Sequence, residues 1–307
     1  MDQAILTGLA ASTVTMAVPL LLAALGELIA ERSGTINIGL EGMLLMGAFT
    51  ALIAAYFSGS SALGIGLAVG AGALFGLLMA YFVVGANANQ VVAGAALNLL
   101  ALGLTGVAYR AVFGVTGSAI TVRGAPAFSV PVLRSLPVFG AAVFQQTLLG
   151  YASFVLVPLL AFALARTLPG LALRMVGENP RAAEAQGVHV KRVRTLALVA
   201  CGALAAAGGA FLSVVYANTF VEGMSAGRGF IALAVVIVGR WSAWGILLAA
   251  LFFGLASSLQ FQFQALGVAV PYQLFLMLPY VLTLVVLAGY AGRARPPAAL
   301  GQGYRRD

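Results

Sequence analysis

Four polar residues lie in or beside long apolar runs, and their types suit a path for a polar solute: Asn37, Glu41, Asn98 and Glu222. A carboxylate or amide at membrane depth is costly unless it is paired or lines a water-filled path. Asn37 and Glu41 are four residues apart, so they would share one face of a helix. The sequence therefore predicts that these four residues line a solute path.

Each of these residues also has a plainer interpretation. A turn followed by a helix capped by Asn37 would account for Asn37 and Glu41. Asn98 could form hydrogen bonds between helices. Glu222 stands with Arg228 around a Gly-rich turn before a short apolar run, which fits either a half-span or an external loop.

The long polar stretch from Leu168 to Arg194 contains the signals of a short helix. Asn179 is a favoured N-cap residue, and Pro180 suits the first helical position. Gly187 suits the left-handed position that ends a helix. The sequence predicts a helix over 180–186, with Arg181 and Glu184 on one face. Because two isolated turns are unstable in water, we expect packing against a partner to hold this helix.

The residues that usually carry enzyme chemistry are sparse. His189 is the single histidine and has no metal-ligand partners near it in sequence. Cys201 is the single cysteine, which excludes an internal disulfide and suggests a packing role. Lys191 is followed by Arg192, so the chain lacks the Gly-Lys-Ser/Thr of a P-loop. We expect no catalytic residue, metal or cofactor on this chain, and any ATP to bind another subunit.

Composition defines the elements that must position these residues. Of 307 residues, 62% are hydrophobic and 8% are charged, and the mean hydropathy is +1.05. Soluble domains carry about 25% charged residues, so the chain is predicted to be an all-α integral membrane protein. The net charge of +8 comes from Arg residues clustered in a few loops. This pattern indicates orientation and contact with anionic lipid, not nucleic-acid binding.

The uncharged stretches predict a polytopic helical bundle of 8–10 transmembrane helices, with about nine favoured at roughly 20 residues each. We treat residues 1–307 as one transmembrane domain. The expected spans are 6–29, three between 42 and 109, 148–168, 195–221, a short one at 229–238, and two between 241 and 292.

Lys and Arg residues set the expected orientation. Residues 166–194 contain six of them and the tail after Gly292 contains four. Both segments should face the cytoplasm, and the four spans between them agree with that assignment. Residues 110–146 then form an external loop, in which Gly and Pro residues suggest a short helix. Small-residue patterns, such as those at Gly66, Gly70, Gly72 and Gly76, predict close helix packing.

Three stretches together resemble the permeases of ABC importers, in the family that includes branched-chain amino-acid and ribose permeases. The stretch Leu173–Pro180, followed by Glu184, Ala185 and Gly187, is similar to the coupling segment of that family. GTINIGLEG (34–42) is similar to the signature of its nucleoside and simple-sugar branch, and its NIGLEG form favours purine nucleosides. GRGFIALAVVIVGRWSAWG (227–245) resembles a third common stretch. The spacing from Glu184 to Gly187 is shorter than the Glu-Ala-Ala-x-x-x-Gly pattern of the family.

The resemblance implies a fold with two pseudo-repeated halves, in a multi-pass protein of the bacterial plasma (inner) membrane. It implies two ATPase subunits or domains that bind ATP and Mg²⁺, a second permease subunit in a heterodimer or homodimer, and an external substrate-binding protein. Segment 169–194 would be the cytoplasmic coupling segment. Its ATPase-coupling residues would be Glu178, Asn179, Pro180, Arg181, Glu184 and Gly187.

Two other classes of membrane protein fit the residues. In an ion-coupled secondary transporter, Glu27, Glu41 or Glu222 would bind protons or Na⁺. A channel or a purely structural membrane subunit is the third possibility. Dependence of uptake on ATP or on an ion gradient separates the first two classes.

Overall fold

The chain folds as a bundle of helices. A computed structural model describes residues 3–114, 120–129, 144–265 and 295–305, together with residues 277, 281, 284, 285 and 288. The helices are α1 (Gln3–Arg32), α2 (Leu40–Ser58), α3 (Ser61–Ala80), α4 (Gln90–Phe113), α5 (Leu148–Arg166), α6 (Leu168–Glu178), α7 (Pro180–Ala185), α8 (Val190–Ala210), α9 (Arg228–Val238) and α10 (Ala243–Ala265). Wider π turns at Tyr81–Gly85 and Phe211–Tyr216 extend α3 and α8.

Seven of the described helices are long and apolar enough to cross a membrane: α1, α2, α3, α4, α5, α8 and α10. They coincide with seven of the nine expected spans. The eighth expected span is α9, which has only 11 residues and is too short to cross a bilayer alone. The ninth lies mainly outside the described residues. The prediction of an all-α polytopic membrane protein is therefore confirmed, whereas the two pseudo-repeated halves stay a prediction.

The loop expected at 110–146 begins later than predicted, because α4 continues to Phe113, and the two strands of the described residues lie in this loop and at its end. Strand β1 (Ala127–Ser129) pairs antiparallel with β2 (Gln145–Thr147), and Phe128 faces Gln146. The short helix expected in this loop stays a prediction, because residues 115–119 and 130–143 lie outside the described ranges. Thr147 then accepts a hydrogen bond from Gly150 N–H and caps the start of α5.

Backbone hydrogen bonds show which connecting segments lie at the same end of the bundle. Gly301 N–H donates to Gly34 O at 3.1 Å, and Ala299 N–H donates to Gly177 O at 2.9 Å. The α1–α2 loop, the end of α6 and the C-terminal tail therefore meet at one end. Both basic segments lie at this end, as the even number of spans between them predicts. The membrane side that this end faces stays a prediction.

Glycines let α3 and α8 pack backbone to backbone. Gly72 and Gly76 are buried, and an added Cβ would overlap the carbonyl oxygens of Gly202 and Leu198, respectively. Gly66 and Gly70 of α3 are different, because no described atom lies within 4 Å of an added Cβ. The expectation of close approach is therefore confirmed for Gly72 and Gly76, and it stays a prediction for Gly66 and Gly70.

These positions give a matched test of packing within one helix. Gly72→Ala is expected to lower the free energy of unfolding by about 1–3 kcal/mol, because the methyl group forces α3 and α8 apart. Gly70→Ala should leave it unchanged or raise it slightly, because alanine is the better helix former. Thermal unfolding of the two variants in the same detergent compares them directly. Equal melting temperatures would contradict the packing shown at Gly72.

Candidate transport path and coupling surface

The break between α1 and α2 is held by buried polar contacts around Asn37. This side chain is fully buried, and its Oδ1 accepts a hydrogen bond from Gly39 N–H at 3.0 Å. Asn37 N–H donates to Glu27 Oε1 at 2.8 Å. The N-cap residue of α2 is Gly39, so the interpretation of Asn37 as that cap is wrong. Its side chain instead shapes the turn that precedes the helix.

Asn98 supplies the capping contact that Gly39 cannot make. Its Oδ1 accepts a hydrogen bond from Gly42 N–H at 2.8 Å, and its Nδ2 donates to Ile38 O at 2.9 Å. The Gly42 N–H is in the first turn of α2, where intrahelical acceptors are missing. Asn98 lies on α4, so a neighbouring helix caps α2. The close approach requires Gly42, because an added Cβ would lie 2.9 Å from Leu97 O.

Glu41 caps the start of α9 in a similar way. Gly227 N–H donates to its Oε1 and Gly229 N–H donates to its Oε2, both at 2.7 Å. Gly227, the N-cap residue of α9, has φ +77° and no side chain to serve as a cap. A carboxylate at this position satisfies two helix-end donors and faces the positive end of the helix dipole.

The short helix α9 spans only part of the bundle. Its N-terminus contacts Glu41 in the first turn of α2. Its C-terminal end leads to Trp241, whose indole N–H donates to Glu31 Oε2 and whose carbonyl accepts two hydrogen bonds from Arg32, at 2.6 and 3.1 Å. Of the two interpretations of this segment, a half-span or an external loop, the structure shows the half-span, a short helix with buried residues. Broken helices of this kind occur where the backbone lines a cavity or is buried in protein.

Glu222 lies at the opposite end of the bundle from the coupling segment. Arg110, in the last turn of α4, donates two hydrogen bonds of 2.9 Å to its carboxylate. These contacts hold the pKa of the Glu222 carboxyl below its usual range. Both side chains are substantially exposed, at 61% for Arg110 and 41% for Glu222. The structure thus brings Asn37, Glu41 and Asn98 together around α2 and places Glu222 apart from them.

The predicted short helix is present as α7. Asn179 Oδ1 accepts from Ala182 N–H at 3.1 Å, and Pro180 is the first helical residue. At the other end, Gly187 has φ +83°. Its N–H donates to Glu184 O at 2.9 Å and Val188 N–H donates to Ala183 O at 3.0 Å, the paired bonds of a Schellman stop. The predicted caps are confirmed at both ends.

Part of the support for α7 comes from its own chain. Ala183 is fully buried and packs with Val176 and Val190. Glu184 is half-buried and accepts a hydrogen bond from the hydroxyl of Tyr304 in the tail. Arg181 and Glu184, which were expected to share one face, therefore differ in exposure. Arg181 is exposed, whereas Glu184 is half-buried against the tail. The exposed residues of α7 are Arg181, Ala182 and Ala185, and Gln186 follows them.

Sequence reasoning missed several residues that position these elements. Gln90 Oε1 accepts from Ile36 N–H at 2.7 Å and supports the α1–α2 loop. Arg194 is 2% exposed, although it stands in a basic run that looked like an orientation signal. Tyr304 lies outside every motif recognised in the sequence, and Trp241 lies within the 227–245 stretch, which gives no sign of its contacts with α1. Their partners are distant in sequence, so no spacing could have identified them.

Family comparison agrees with this architecture. Residues 9–287 match the model of a family described as the permease component of the branched-chain amino acid transport system. The chain belongs to this permease family. Its members are transport components rather than enzymes, so this chain is an ABC transporter permease subunit. No solved structure matches this chain.

Three permease relatives match over nearly their whole length. The guanosine ABC transporter permease protein NupQ of Bacillus subtilis is 36% identical over 98% of this chain and 97% of its own. The nucleoside ABC transporter permease protein NupC of Lactococcus lactis is 37% identical over 93% of both chains. The putative glucose ABC transporter permease protein TsgC13 of Haloferax volcanii is 35% identical over 98% of both chains. Two further permeases also match: NupP of Bacillus subtilis is 26% identical over 79% of this chain, and NupB of Lactococcus lactis is 38% identical over 31% of it.

Proposed function

We propose that this permease moves a nucleoside, with purine nucleosides favoured, as a subunit of an ATP-driven importer. The observation that carries the proposal is the nearly full-length similarity to permeases named for guanosine and nucleosides. The relative named for glucose is almost as similar, so a simple sugar is the competing substrate. The Gly34–Gly42 stretch, whose NIGLEG form favours nucleosides, supports the first choice.

The proposed partners are the subunits that a permease needs for ATP-driven import. Two ATPase subunits or domains would bind ATP and Mg²⁺ and press on the exposed face of α7. A second, related permease subunit would complete the path, and the pairs NupQ with NupP and NupC with NupB favour a heterodimer over a homodimer. An external binding protein would deliver the solute. The assembly would lie in the bacterial inner membrane, with α7 and the tail facing the cytoplasm.

The path residues have different roles in this proposal. Asn98 and Glu41 fix the starts of α2 and α9, and Asn37 fixes the turn before α2. They shape the path by holding broken helix ends, a device that transporters use beside their solute sites. Glu222 and Arg110 would lie at the external mouth. Direct contact of these four candidate residues with solute stays a prediction.

Uptake by the reconstituted complex tests the proposal. The permease is co-purified with the products of neighbouring genes, which are identified by mass, and is placed in vesicles with ATP inside and binding protein outside. We expect ATP-dependent uptake of labelled guanosine that an excess of unlabelled glucose does not reduce. Uptake of glucose in place of guanosine would overturn the substrate assignment. Uptake that needs an ion gradient and no ATP would overturn the importer itself.

A further inference from the structure

The C-terminal tail is built into the coupling end of the permease. We define the tail strap as residues 295–305. Two of its backbone N–H groups bond to the end of α6, since Ala299 donates to Gly177 O at 2.9 Å and Ala298 donates to Glu178 Oε2 at 3.3 Å. Ala299 is also buried, at 4% exposure. The strap therefore has specific contacts with the segment that carries α7.

Tyr304 adds a direct contact to α7. Its hydroxyl donates a hydrogen bond to the Glu184 carboxylate, and its ring packs beside the cluster of Val176, Ala183 and Val190. An open groove separates the start of α7 from the strap. Its lining includes Asn179, Pro180 and Arg181 on one side and Tyr304 and Arg305 on the other. A protein that docks on this end of α7 would therefore also meet the strap.

The same strap reaches the α1–α2 loop. Gly301 N–H donates to Gly34 O at 3.1 Å. Arg194 lies between the two segments, where its Nη1 donates to Gln302 O at 2.8 Å and its Nε donates to Ser33 O at 3.2 Å. A buried guanidinium that bonds two separate backbone segments fixes their distance, because its donors have a rigid planar geometry. The α1–α2 loop leads to Glu41 and α9.

We propose that the tail strap is a second element of the coupling surface, which moves as one body with α6 and α7 and transmits their displacement to the α1–α2 loop. This inference rests on the proposed function. It adds the strap to α7 as a second surface that the ATPase contacts. It also assigns Arg194 and Tyr304 as positioning residues. Coupling between sites requires a connected physical element that both sites influence. The strap joins the docking helix to the loop that holds the broken helix ends.

A reversible crosslink tests whether the strap and α6 move together. Glu178 and Ala298 are both exposed, and a hydrogen bond joins them. The double variant Glu178→Cys with Ala298→Cys therefore places two thiols across this contact. The double variant is compared with itself, oxidised and reduced, in vesicles with the ATPase and binding protein. Because Glu178 is itself a proposed coupling residue, the comparison requires measurable uptake by the reduced variant and a disulfide verified by mass in the oxidised one. We expect oxidation to leave the uptake of the reduced variant unchanged. Loss of uptake on crosslinking, with recovery on reduction, would show that the strap must release and would overturn the proposal.

A second experiment tests transmission with a matched control on the same helix. Arg194→Gln removes the bridge, whereas Arg192→Gln changes an exposed arginine two residues away. The readout is solute taken up per ATP hydrolysed, which a simple loss of folded protein does not change. We expect Arg194→Gln to lower this ratio about fivefold or more, and Arg192→Gln to leave it at the wild-type value. Should Arg194→Gln fail to accumulate, Tyr304→Phe removes a single hydroxyl and is expected to lower the same ratio.

The outcomes separate this inference from the proposed function. If wild-type permease shows no ATP-dependent uptake and retains no ATPase subunit, the proposed function fails before the strap is tested. If the wild type is active and both Arg194→Gln and Tyr304→Phe keep the wild-type ratio, the strap proposal alone fails. A lower ratio with ATPase subunits still bound supports transmission through the strap.

Discussion

Replacement of Glu41 by alanine is expected to abolish uptake and to destabilise the permease. The change leaves the N–H groups of Gly227 and Gly229 without the carboxylate that each contacts at 2.7 Å. An unsatisfied buried donor costs about 1–3 kcal/mol, and Gly227 is only half-buried, so for the two donors together we expect the free energy of unfolding to fall by about 2–5 kcal/mol. The start of α9 would lose both hydrogen bonds that the Glu41 side chain makes to it. Thermal unfolding and vesicle uptake measure the two effects.

A thiol at Ser225 reports on the position of α9 directly. Ser225 is 2% exposed. The single native cysteine, Cys201, is fully buried, so we expect little labelling of it by the reagent. We expect Ser225→Cys to be protected from a polar thiol reagent when Glu41 is present and to react when Glu41 is alanine. Glu222→Ala is the control, because it removes an exposed acid of the same segment. Surface ion pairs contribute about 0–1 kcal/mol, so protection should persist there.

Glu41→Gln separates a capping role from direct solute binding. A glutamine can accept one of the two N–H bonds but presents an NH₂ group to the other, so we expect intermediate stability and partial thiol protection. If Glu41 instead contacts solute, the glutamine variant would need more solute for half-maximal uptake while stability and protection stay at wild-type values. That result would contradict the assignment of Glu41 as the cap of α9.

The distance between partners explains what the sequence could predict. All the signals for α7 lie within nine residues, from Asn179 to Gly187, so local capping rules were sufficient. The caps of α2 and α9 come from other helices, with separations of 56 residues for Gly42 and Asn98 and 186 for Gly227 and Glu41. The sequence showed that these polar residues need partners in a membrane. It could not show that the partners are backbone groups at broken helix ends.

Two further features could not be predicted from the sequence, for related reasons. An α3 that is apolar on every side gives no hydrophobic stripe, so the glycine pattern alone could not show that Gly72, and not Gly70, packs against a described helix. The tail strap has no helix periodicity, and its contacts are made largely by backbone groups that every residue possesses. The family resemblance, in contrast, needed only the three local stretches at 173–187, 34–42 and 227–245. This is why the class of protein was predictable and the internal supports were not.

Gly187→Val is expected to uncouple the permease from its ATPase. The left-handed conformation at φ +83° is accessible to glycine, and a β-branched residue there costs about 1 kcal/mol or more. No described atom lies within 4 Å of an added Cβ, so the cost is conformational and involves no clash. Losing the Schellman stop would let the end of α7 unwind. We expect ATP-dependent uptake to fall sharply while the protein still inserts in the membrane.

Gly59 provides the matched control for this prediction. It ends α2 at the other end of the bundle with φ +68°, and it too has no described atom within 4 Å of an added Cβ. Gly59→Val therefore imposes similar backbone strain far from α7, and it should lower the melting temperature without reducing retention of the ATPase subunits. Gly187→Asn should preserve uptake, because asparagine tolerates the left-handed region. Because the two valine variants carry similar strain, only the position of α7 can explain a loss of coupling confined to Gly187→Val. Wild-type uptake and subunit retention in Gly187→Val would instead show that α7 is a solvated connection and not the docking helix.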